Sequence, residues 1–321
     1  MRKTISAVMV VFVLAGFANA QDLGSSLGKV ASPYAQAYVA PFVNSFGVDM
    51  NSGLFHGATM TGLLPLGLHL YIGVQVGAAF VGSADKSFSL SYEDTEYITI
   101  GGVTTAHPAT VTAQGPTIFG DKTPGSVTYT PHEALLPTTT QPTIGGLVST
   151  SIAPLPIPQL GLGTLFGTDV MVRFLPKIKL SSYGSLQLFG FTIRHSISQY
   201  IPLVPVDVAV QLGIQNFSIK DSTGGNLLKT SAFAANVEVS KTFAILTIYG
   251  GLQYESSSVD FTYSFTPNPG ATPIPVSFNM KGKNHFRVLA GLSLGLGPLT
   301  INGDYDLGAV SSATVGVGFS I

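Results

Sequence analysis

The sequence predicts an all-β fold, a transmembrane antiparallel up-and-down β-barrel of about 12–14 strands with a short N-terminal helical segment. Only 10% of the 321 residues are charged and the mean hydropathy is +0.40, whereas about a quarter charged is usual for soluble domains. Beyond residue 20, no apolar run approaches the roughly 20 residues of a membrane helix. Long segments instead alternate between apolar and small or polar residues. Because strands cross a bilayer only in closed barrels, these observations favour a membrane barrel.

Residues 1–20 have the pattern of a secretory signal peptide. Arg2 and Lys3 form a positive start, an apolar core follows, and Ala18-Asn19-Ala20 is a small-residue cleavage site. We therefore expect cleavage near Ala20 and a location in the cell outer membrane. Acidic residues outnumber basic ones in the whole chain, 16 to 15, and cleavage removes two of the basic ones. The chain thus lacks the basic surface that nucleic acid requires, and we expect no nucleic-acid partner.

Residues 21–52 are expected to form an N-terminal helical segment. Ser32 is suited to cap a helix that starts at Pro33. Pro41 is expected to end or kink this helix, and Gly47 to cap it. Three interpretations remain open at this point: a plug in the barrel mouth, a segment on the periplasmic membrane face, and a loosely ordered linker.

Residues 53–321 are predicted to form the barrel. The stretch 67–82, GLHLYIGVQVGAAFVG, places aliphatic or aromatic residues on one face of a strand and mostly small or polar residues on the other. The same alternation recurs in 167–174, 206–215, 243–255, 285–296 and 313–321. A soluble β-sandwich also alternates, but its strands are mostly about five or six residues long. A tilted bilayer crossing takes about 9–11 residues, which fits these segments better.

Residues 101–158 interrupt the alternation. The region is rich in Thr, Pro and Gly and carries few charges. Its length and composition predict a long extracellular loop that folds over the barrel mouth or into the lumen. Part of it, such as 127–130, is expected to extend a hairpin above the membrane.

Charged residues within the alternating segments are expected to face the lumen, because a charge facing lipid costs about 2–4 kcal/mol at the midplane. There they pair with one another or line a solute path. The lumenal polar candidates are Asp169, Arg173, Arg194, His195, Asp207, Glu255, Arg287, Asp304 and Asp306. A tight turn at Gly297-Pro298 predicts an ion pair between Arg287 and Asp306 or Asp304.

The sequence predicts no catalytic residue, no cofactor and no metal site, and therefore no enzyme. GLSLG at 291–295 matches G-x-S-x-G, but Ser293 lies in mid-strand rather than at a strand-to-helix turn. The six His residues show no metal-ligand spacing. An outer-membrane hydrolase around His195 is kept as a weaker alternative.

The runs LGLGTLFGTDVMVRFLPKIKL and GFTIRHSISQYIPLVPVDVAVQLGIQNFSI resemble an uncharacterised family of outer-membrane β-barrels of Bacteroidota-type bacteria, over about 165–220. The plan of N-terminal helix plus barrel is more loosely similar to the long-chain fatty-acid transporter barrels, whose N-terminus plugs the lumen. The N-terminal segment lacks the Asn-Pro-Ala motif of that second family. The resemblance implies a barrel that passes hydrophobic molecules.

The leading functional hypothesis is a channel or transporter for small solutes of apolar character, since the lumenal faces contain many Gly residues and few charges. The alternative is a non-transporting structural or surface-binding barrel that acts through loop 101–158. The expected partners are outer-membrane lipid, the barrel-assembly machinery and a small apolar solute.

Overall fold

The computed structural model describes residues 32–58, 68–163, 167–179, 184–201, 205–221, 224–265 and 272–321. One helix, α1, spans Ser32–Met50. The strands are β1 (His69–Phe80), β2 (Ser87–Ile100), β3 (Val103–Pro116), β4 (Ser126–Pro131), β5 (Thr139–Pro142), β6 (Ile152–Gly163), β7 (Thr168–Lys179), β8 (Ser185–Ser196), β9 (Asp207–Lys220), β10 (Asn226–Phe243), β11 (Leu246–Phe265), β12 (Ile274–Lys281), β13 (Phe286–Leu296), β14 (Leu299–Leu307) and β15 (Ser312–Ser320). The predicted signal peptide and its cleavage site lie outside the described residues.

Ten of these strands close into an antiparallel barrel, which confirms the predicted fold class. Around the ring the order is β1, β6, β7, β8, β9, β10, β11, β13, β14 and β15, and β15 pairs again with β1. The predicted number of 12–14 strands is wrong. Strands β2 to β5 form a separate four-stranded sheet, and among the described residues β12 pairs only with the last residues of β11. Alternation in a sequence identifies strands but does not tell which of them join the ring.

The two ends of the barrel differ in their connections. At one end, the short-turn end, two-residue turns join β10 to β11 and β13 to β14. The second of these is the predicted turn at Gly297-Pro298, where Gly297 takes a positive φ of 65°. At the opposite, long-loop end, residues 81–151 leave the wall and carry the sheet β2–β5. This excursion differs from the expected loop 101–158, because β2 already pairs with β3 outside the ring and β6 rejoins the wall at Ile152.

The outer surface of the barrel is apolar, as the alternation predicts. Exposed large apolar side chains occur on all ten ring strands, for example Ile72 on β1, Leu212 on β9 and Leu252 on β11. The residues between them point inward and include most of the buried polar side chains. Such an outward apolar surface is stable only against lipid, since water would leave a large apolar area solvated.

A charge placed on this outer surface should prevent insertion. Val315 lies in the middle of β15, between Val76 and Gly303 of its neighbours, and is 62% exposed. We expect Val315→Arg to cost about 2–4 kcal/mol at the bilayer midplane and to lower the yield of heat-modifiable, folded barrel in membranes. Thr95→Arg, on the exposed β2 strand outside the ring, serves as the control. An unchanged membrane yield of Val315→Arg would contradict the lipid-facing assignment.

Helix α1 lies inside the barrel, towards the long-loop end. The Tyr34 hydroxyl hydrogen-bonds Thr143 at 2.7 Å, and the Tyr38 carbonyl accepts from the Ile118 amide at 3.0 Å. Further along the helix, Phe46 packs against Phe217 of β9, with ring centroids 4.8 Å apart. Apolar side chains of α1, of residues 81–151 and of the barrel wall near the long-loop end share one core.

The helix does not end where the sequence suggested. It continues through both Pro41 and Gly47 to Met50. Proline removes one backbone hydrogen bond and usually breaks a helix, but here Pro41 and nearly all residues after it are buried in the barrel, and this packing outweighs the loss. In the described part of the chain, no helix combines the length and apolar character needed to cross a membrane.

Candidate functional site in the plugged lumen

The lumen is occupied by the chain's own N-terminal segment. We call residues 32–58 the plug and residues 48–58 its lower part. The lower part begins with the last turn of α1 and continues as irregular backbone towards the short-turn end. Side chains from the barrel wall bind it mainly through its backbone. Three fully buried arginines provide the strongest of these contacts.

Arg287 of β13 binds the end of the helix and two acidic residues at once. Its Nη2 donates to the Val48 carbonyl at 2.9 Å, and its Nη1 donates to the Ser52 hydroxyl at 2.6 Å. It forms ion pairs with Asp306, at 2.8 Å, and with Glu255. A cation at the C-terminal end of a helix meets the negative end of the helix dipole and the carbonyls that lack partners within the helix.

The predicted ion pair between Arg287 and Asp306 is thus confirmed. The two residues are diagonal rather than opposite, since Asp306 faces Leu289 across the ladder. Asp304 instead accepts a hydrogen bond from the Tyr249 hydroxyl at 2.8 Å. Both acidic residues lie on the inward face of β14.

Arg173 of β7 binds two carbonyls of the lower plug. It donates to Met50 O at 2.7 Å and to Ser52 O at 2.8 Å, and its third partner is the Gln215 side-chain oxygen at 2.6 Å. Within the described residues, no carboxylate forms an ion pair with it. A guanidinium that is 1% exposed therefore depends on main-chain carbonyls to offset the loss of its hydration.

Arg194 of β8 binds the far end of the plug. It pairs with Asp169, donates to the Gly57 carbonyl, and stacks on the Phe55 ring with 4.4 Å between the guanidinium carbon and the ring centroid. Asp169 also lies 3.4 Å from the His69 ring. The cation–π contact and the ion pair together fix the plug beside the short-turn end.

Uncharged and acidic side chains complete the contacts with the lower plug. Gln159 donates to the Gly53 carbonyl, and Gln253 donates to the Asn51 carbonyl. In the opposite sense, Glu238 accepts from the Gly57 amide. Ser240 Oγ likewise accepts from the Ala58 amide at 2.9 Å. Among the residues that the structure describes, the wall binds six carbonyls and two N–H groups of the lower plug, from six of the ten ring strands.

The structure places eight of the nine lumenal candidates on the inward side of the wall. Asp207 is half-buried at the short-turn end and lies opposite Ser240 in the ladder. His195 is the exception. Because the adjacent Arg194 points into the lumen, His195 points to the other face, since successive residues of a strand alternate.

The surroundings of His195 differ from those of a catalytic base. Its ring hydrogen-bonds Thr168 at 2.7 Å, Tyr200 at 3.0 Å and Gln199 at 3.1 Å, and no carboxylate among the described residues contacts it. Ser293 lies in the ladder of β13, away from any strand-to-helix turn. The described residues also contain no group of three or more side chains suited to hold a metal ion.

Some residues of this site were not singled out by the sequence analysis. Glu238, which is fully buried, accepts hydrogen bonds from both Gly57 and Gln211. Its signal was present, since Val237-Glu238-Val239 alternates as the other strands do. Gln159 and Gln253 also lie on the inward faces of their strands. An uncharged polar residue is common on the inward face of an alternating strand, so the sequence pattern does not distinguish these two from their neighbours.

Close approach between the plug and the wall explains one glycine in α1. A Cβ on Gly47 would collide with the Ser257 hydroxyl of β11. We expect Gly47→Ala to lower the free energy of unfolding by about 1–3 kcal/mol through overpacking. Ser257→Gly should restore much of the loss in the double variant, as measured by urea titration in detergent. If the two substitutions are instead additive, the helix does not approach the wall at this point.

The closed ladder and the apolar outer surface define the class of the fold, that of an outer-membrane β-barrel. The chain belongs to the Family of unknown function (DUF6588), which matches it over residues 1–321. No curated protein sequence matches the chain.

Several solved barrels are similar to this chain at low levels. Ail, the attachment invasion locus protein of Yersinia pestis, is 11% identical with a TM-score of 0.25, over 82% of this chain and 100% of that chain. OccK11 (OpdR) of Pseudomonas aeruginosa is 7% identical with a TM-score of 0.23, over 84% and 99%. A mutant of the Rh. blastica porin is 12% identical with a TM-score of 0.16, over 79% and 99%. Likenesses this weak carry no information on function, and the fold follows from the ladder of this chain itself.

These matches agree only in part with the resemblance drawn from the sequence. Membership of an uncharacterised family is shown. Its attribution to Bacteroidota-type bacteria has no support in these matches, nor does the looser similarity to fatty-acid transporter barrels.

Proposed function

We propose that the protein is an outer-membrane channel or transporter for small solutes whose lumen is closed at rest by the plug. The observation that carries this proposal is the way the plug is held. Its upper part is packed in an apolar core, whereas its lower part is held largely by hydrogen bonds between its backbone and polar side chains of the wall.

This difference between the two parts of the plug favours a movable gate over a plug that permanently fills the lumen. Exchanging a hydrogen bond for one to water costs about 0.5–1.5 kcal/mol, and about 1.5–3 kcal/mol where one partner is charged. Pulling a buried aromatic side chain out of a packed core costs several kcal/mol; the upper part of the plug has three such side chains, Tyr34, Tyr38 and Phe46, whereas Phe55 is the one phenylalanine of the lower part. The lower part is therefore the part that moves when the lumen opens, while α1 before Val48 remains anchored. The proposal assigns no catalytic step to the barrel.

We place the barrel in the outer membrane after removal of residues 1–20 near Ala20, with outer-membrane lipid and the barrel-assembly machinery as its partners. The apolar outer surface supports this location. Barrels of this class have short periplasmic turns and longer extracellular loops, so the short-turn end is assigned to the periplasm and residues 81–151 to the cell exterior.

The wall around the lower plug favours a polar solute over the apolar solute expected from the sequence. It presents arginines, carboxylates and amides, including Arg173, Glu238 and Gln159. An apolar molecule passing this level would leave those groups without partners, which is costly in a narrow lumen.

Weakening the plug without changing the wall tests the proposal. Phe55 is buried beside Tyr71 and Met171, and Phe55→Ala should loosen the lower plug. In planar bilayers we expect brief, rare openings for the wild type and sustained conductance for Phe55→Ala. The matched control is Phe174→Ala, a phenylalanine exposed on the outer surface. Equal conductance of Phe55→Ala and the wild type would argue against a gated channel.

A second candidate function is binding at the cell surface through the β2–β3 hairpin. Its tip carries three exposed apolar side chains, Tyr97 at 72%, Ile100 at 62% and Val103 at 65%, and such a group commonly marks a lipid or protein contact. We would compare binding of phospholipid vesicles by the wild type and by the variant with all three replaced by Ser. Reduced binding with unchanged channel behaviour would support a surface role, and equal binding would exclude lipid as its target.

A further inference from the structure

We propose that the ligand of the lumen is the main chain of a short peptide, and that the lower plug is an internal copy of that ligand. This inference rests on the proposed function and names its substrate class. It is carried by the eight backbone groups of residues 48–58 that the wall binds.

The wall offers both kinds of hydrogen-bonding partner that a peptide main chain needs: donors for its carbonyls and acceptors for its N–H groups. Five wall side chains donate to carbonyls, three of them arginines and two of them amides. Two others, Glu238 and Ser240, accept from successive N–H groups at Gly57 and Ala58. Because every peptide carries the same backbone groups, a wall of this kind binds peptides with little regard to most of their side chains, as main-chain recognition does elsewhere.

The buried charge of Arg173 favours such an occupant. Arg173 has no carboxylate partner within the described residues, and two of its three partners are plug carbonyls. When the lower plug leaves, this guanidinium loses both carbonyls in a confined lumen, where an unpaired charge is costly. Main-chain carbonyls of an incoming peptide replace them with the same chemistry.

The plug also indicates which peptides fit. Phe55 fills a pocket formed by Tyr71 and Met171 beneath the Arg194 guanidinium, so an aromatic residue is favoured at that position. Gly53 and Gly57 have φ values of 60° and 128°, which glycine adopts at least cost. The ligand class is therefore a short glycine-containing peptide with one aromatic side chain.

Peptide block of the Phe55→Ala channel tests this inference. The probe is the synthetic peptide NSGLFHGA, the sequence of residues 51–58, added during a bilayer recording. We expect it to block the current. A peptide with Ala at the position of His56 should block within about threefold of the same concentration, because it keeps the backbone groups that bind the wall and the Ser52 hydroxyl that Arg287 binds.

Two backbone changes should weaken the block instead. Sarcosine in place of the glycine that corresponds to Gly57 removes the N–H donated to Glu238. An ester in place of the amide after the serine that corresponds to Ser52 weakens the carbonyl bound by Arg173. Each change should raise the blocking concentration about tenfold or more, since both bonds involve a charged partner.

The outcomes separate the two proposals. A channel that opens in Phe55→Ala but is not blocked by any of the peptides would overturn the peptide inference and leave the channel proposal intact. Loss of block with the Ala-substituted peptide, together with full block by the backbone-modified ones, would also overturn it. Fluorescence anisotropy with a labelled peptide and detergent-solubilised Phe55→Ala measures binding without current. Binding without conductance would contradict the channel alone, and absence of binding would contradict the peptide inference whatever the current.

Discussion

Replacement of Arg287 by Met should both destabilise the barrel and open its lumen. The substitution leaves Glu255 and Asp306 buried together without their shared cation, and it removes the donor to the Val48 carbonyl. Breaking a buried pair in this way costs about 3–5 kcal/mol. We expect a loss of that size in the free energy of unfolding, together with sustained conductance in planar bilayers.

Arg287→Lys is the matched control for this prediction. A lysine keeps the charge for the two carboxylates but cannot form the several directed hydrogen bonds of a guanidinium. Its stability should fall between those of the wild type and Arg287→Met. If Arg287→Met unfolds at the same urea concentration as the wild type, the buried network does not hold the plug.

Replacement of Arg173 by Met should open the lumen with a smaller loss of stability. Arg173 donates to the Met50 and Ser52 carbonyls but leaves no carboxylate behind when it is removed. The loss should be about 1–3 kcal/mol, the cost of leaving a buried polar group without a partner. Conductance should nevertheless rise about as much as in Arg287→Met, because both variants release carbonyls of the lower plug.

Comparing Arg287→Met with Arg173→Met distinguishes two roles of these arginines: binding the carbonyls of the plug, and neutralising buried carboxylates. Urea titration reports stability, and single-channel recording reports opening. If conductance follows the loss of stability across the two variants, the openings reflect a damaged barrel rather than a released plug.

The strands of the barrel wall were predictable from the sequence because alternation between lipid-facing and lumen-facing residues can be read within each strand. A strand between lipid and lumen must alternate, so Ile72 and Leu252 face outward for reasons that their own neighbours reveal. The number of ring strands depends on pairing between distant segments. Nothing local distinguishes β12, which pairs only with part of β11, from a wall strand.

The site was predictable as a set of inward charges but not as a binding site for the plug. A charged residue in an alternating strand must face the lumen, which placed Arg173 and Arg287 correctly. The partners of these arginines are backbone carbonyls such as Met50 O, and a backbone group leaves no signal in a sequence. The course of α1 through Pro41 was missed for a related reason, since burial on all sides overrides local helix-breaking preference.

Locking the plug in place tests the central claim most directly. The chain has no cysteine, and a Cβ on Gly53 would lie 3.1 Å from the Gln75 Cβ of β1. This is a few tenths of an ångström below the usual separation of about 3.5–4.5 Å across a disulfide. The same Cβ would lie 2.8 Å from Thr314 Cγ2, and Gly53 has a positive φ, so each single cysteine variant is needed as a control for the changed side chain. The pair Gly53→Cys with Gln75→Cys links the lower plug to the wall.

The decisive measurement is single-channel conductance of this cysteine pair in the Phe55→Ala background, before and after addition of a reductant. If the lower plug is the gate, the oxidised channel stays closed and reduction of the disulfide restores sustained conductance. Equal conductance in the oxidised and reduced states would show that ions do not pass through the part of the lumen that the plug fills, and the gated-channel proposal would be wrong.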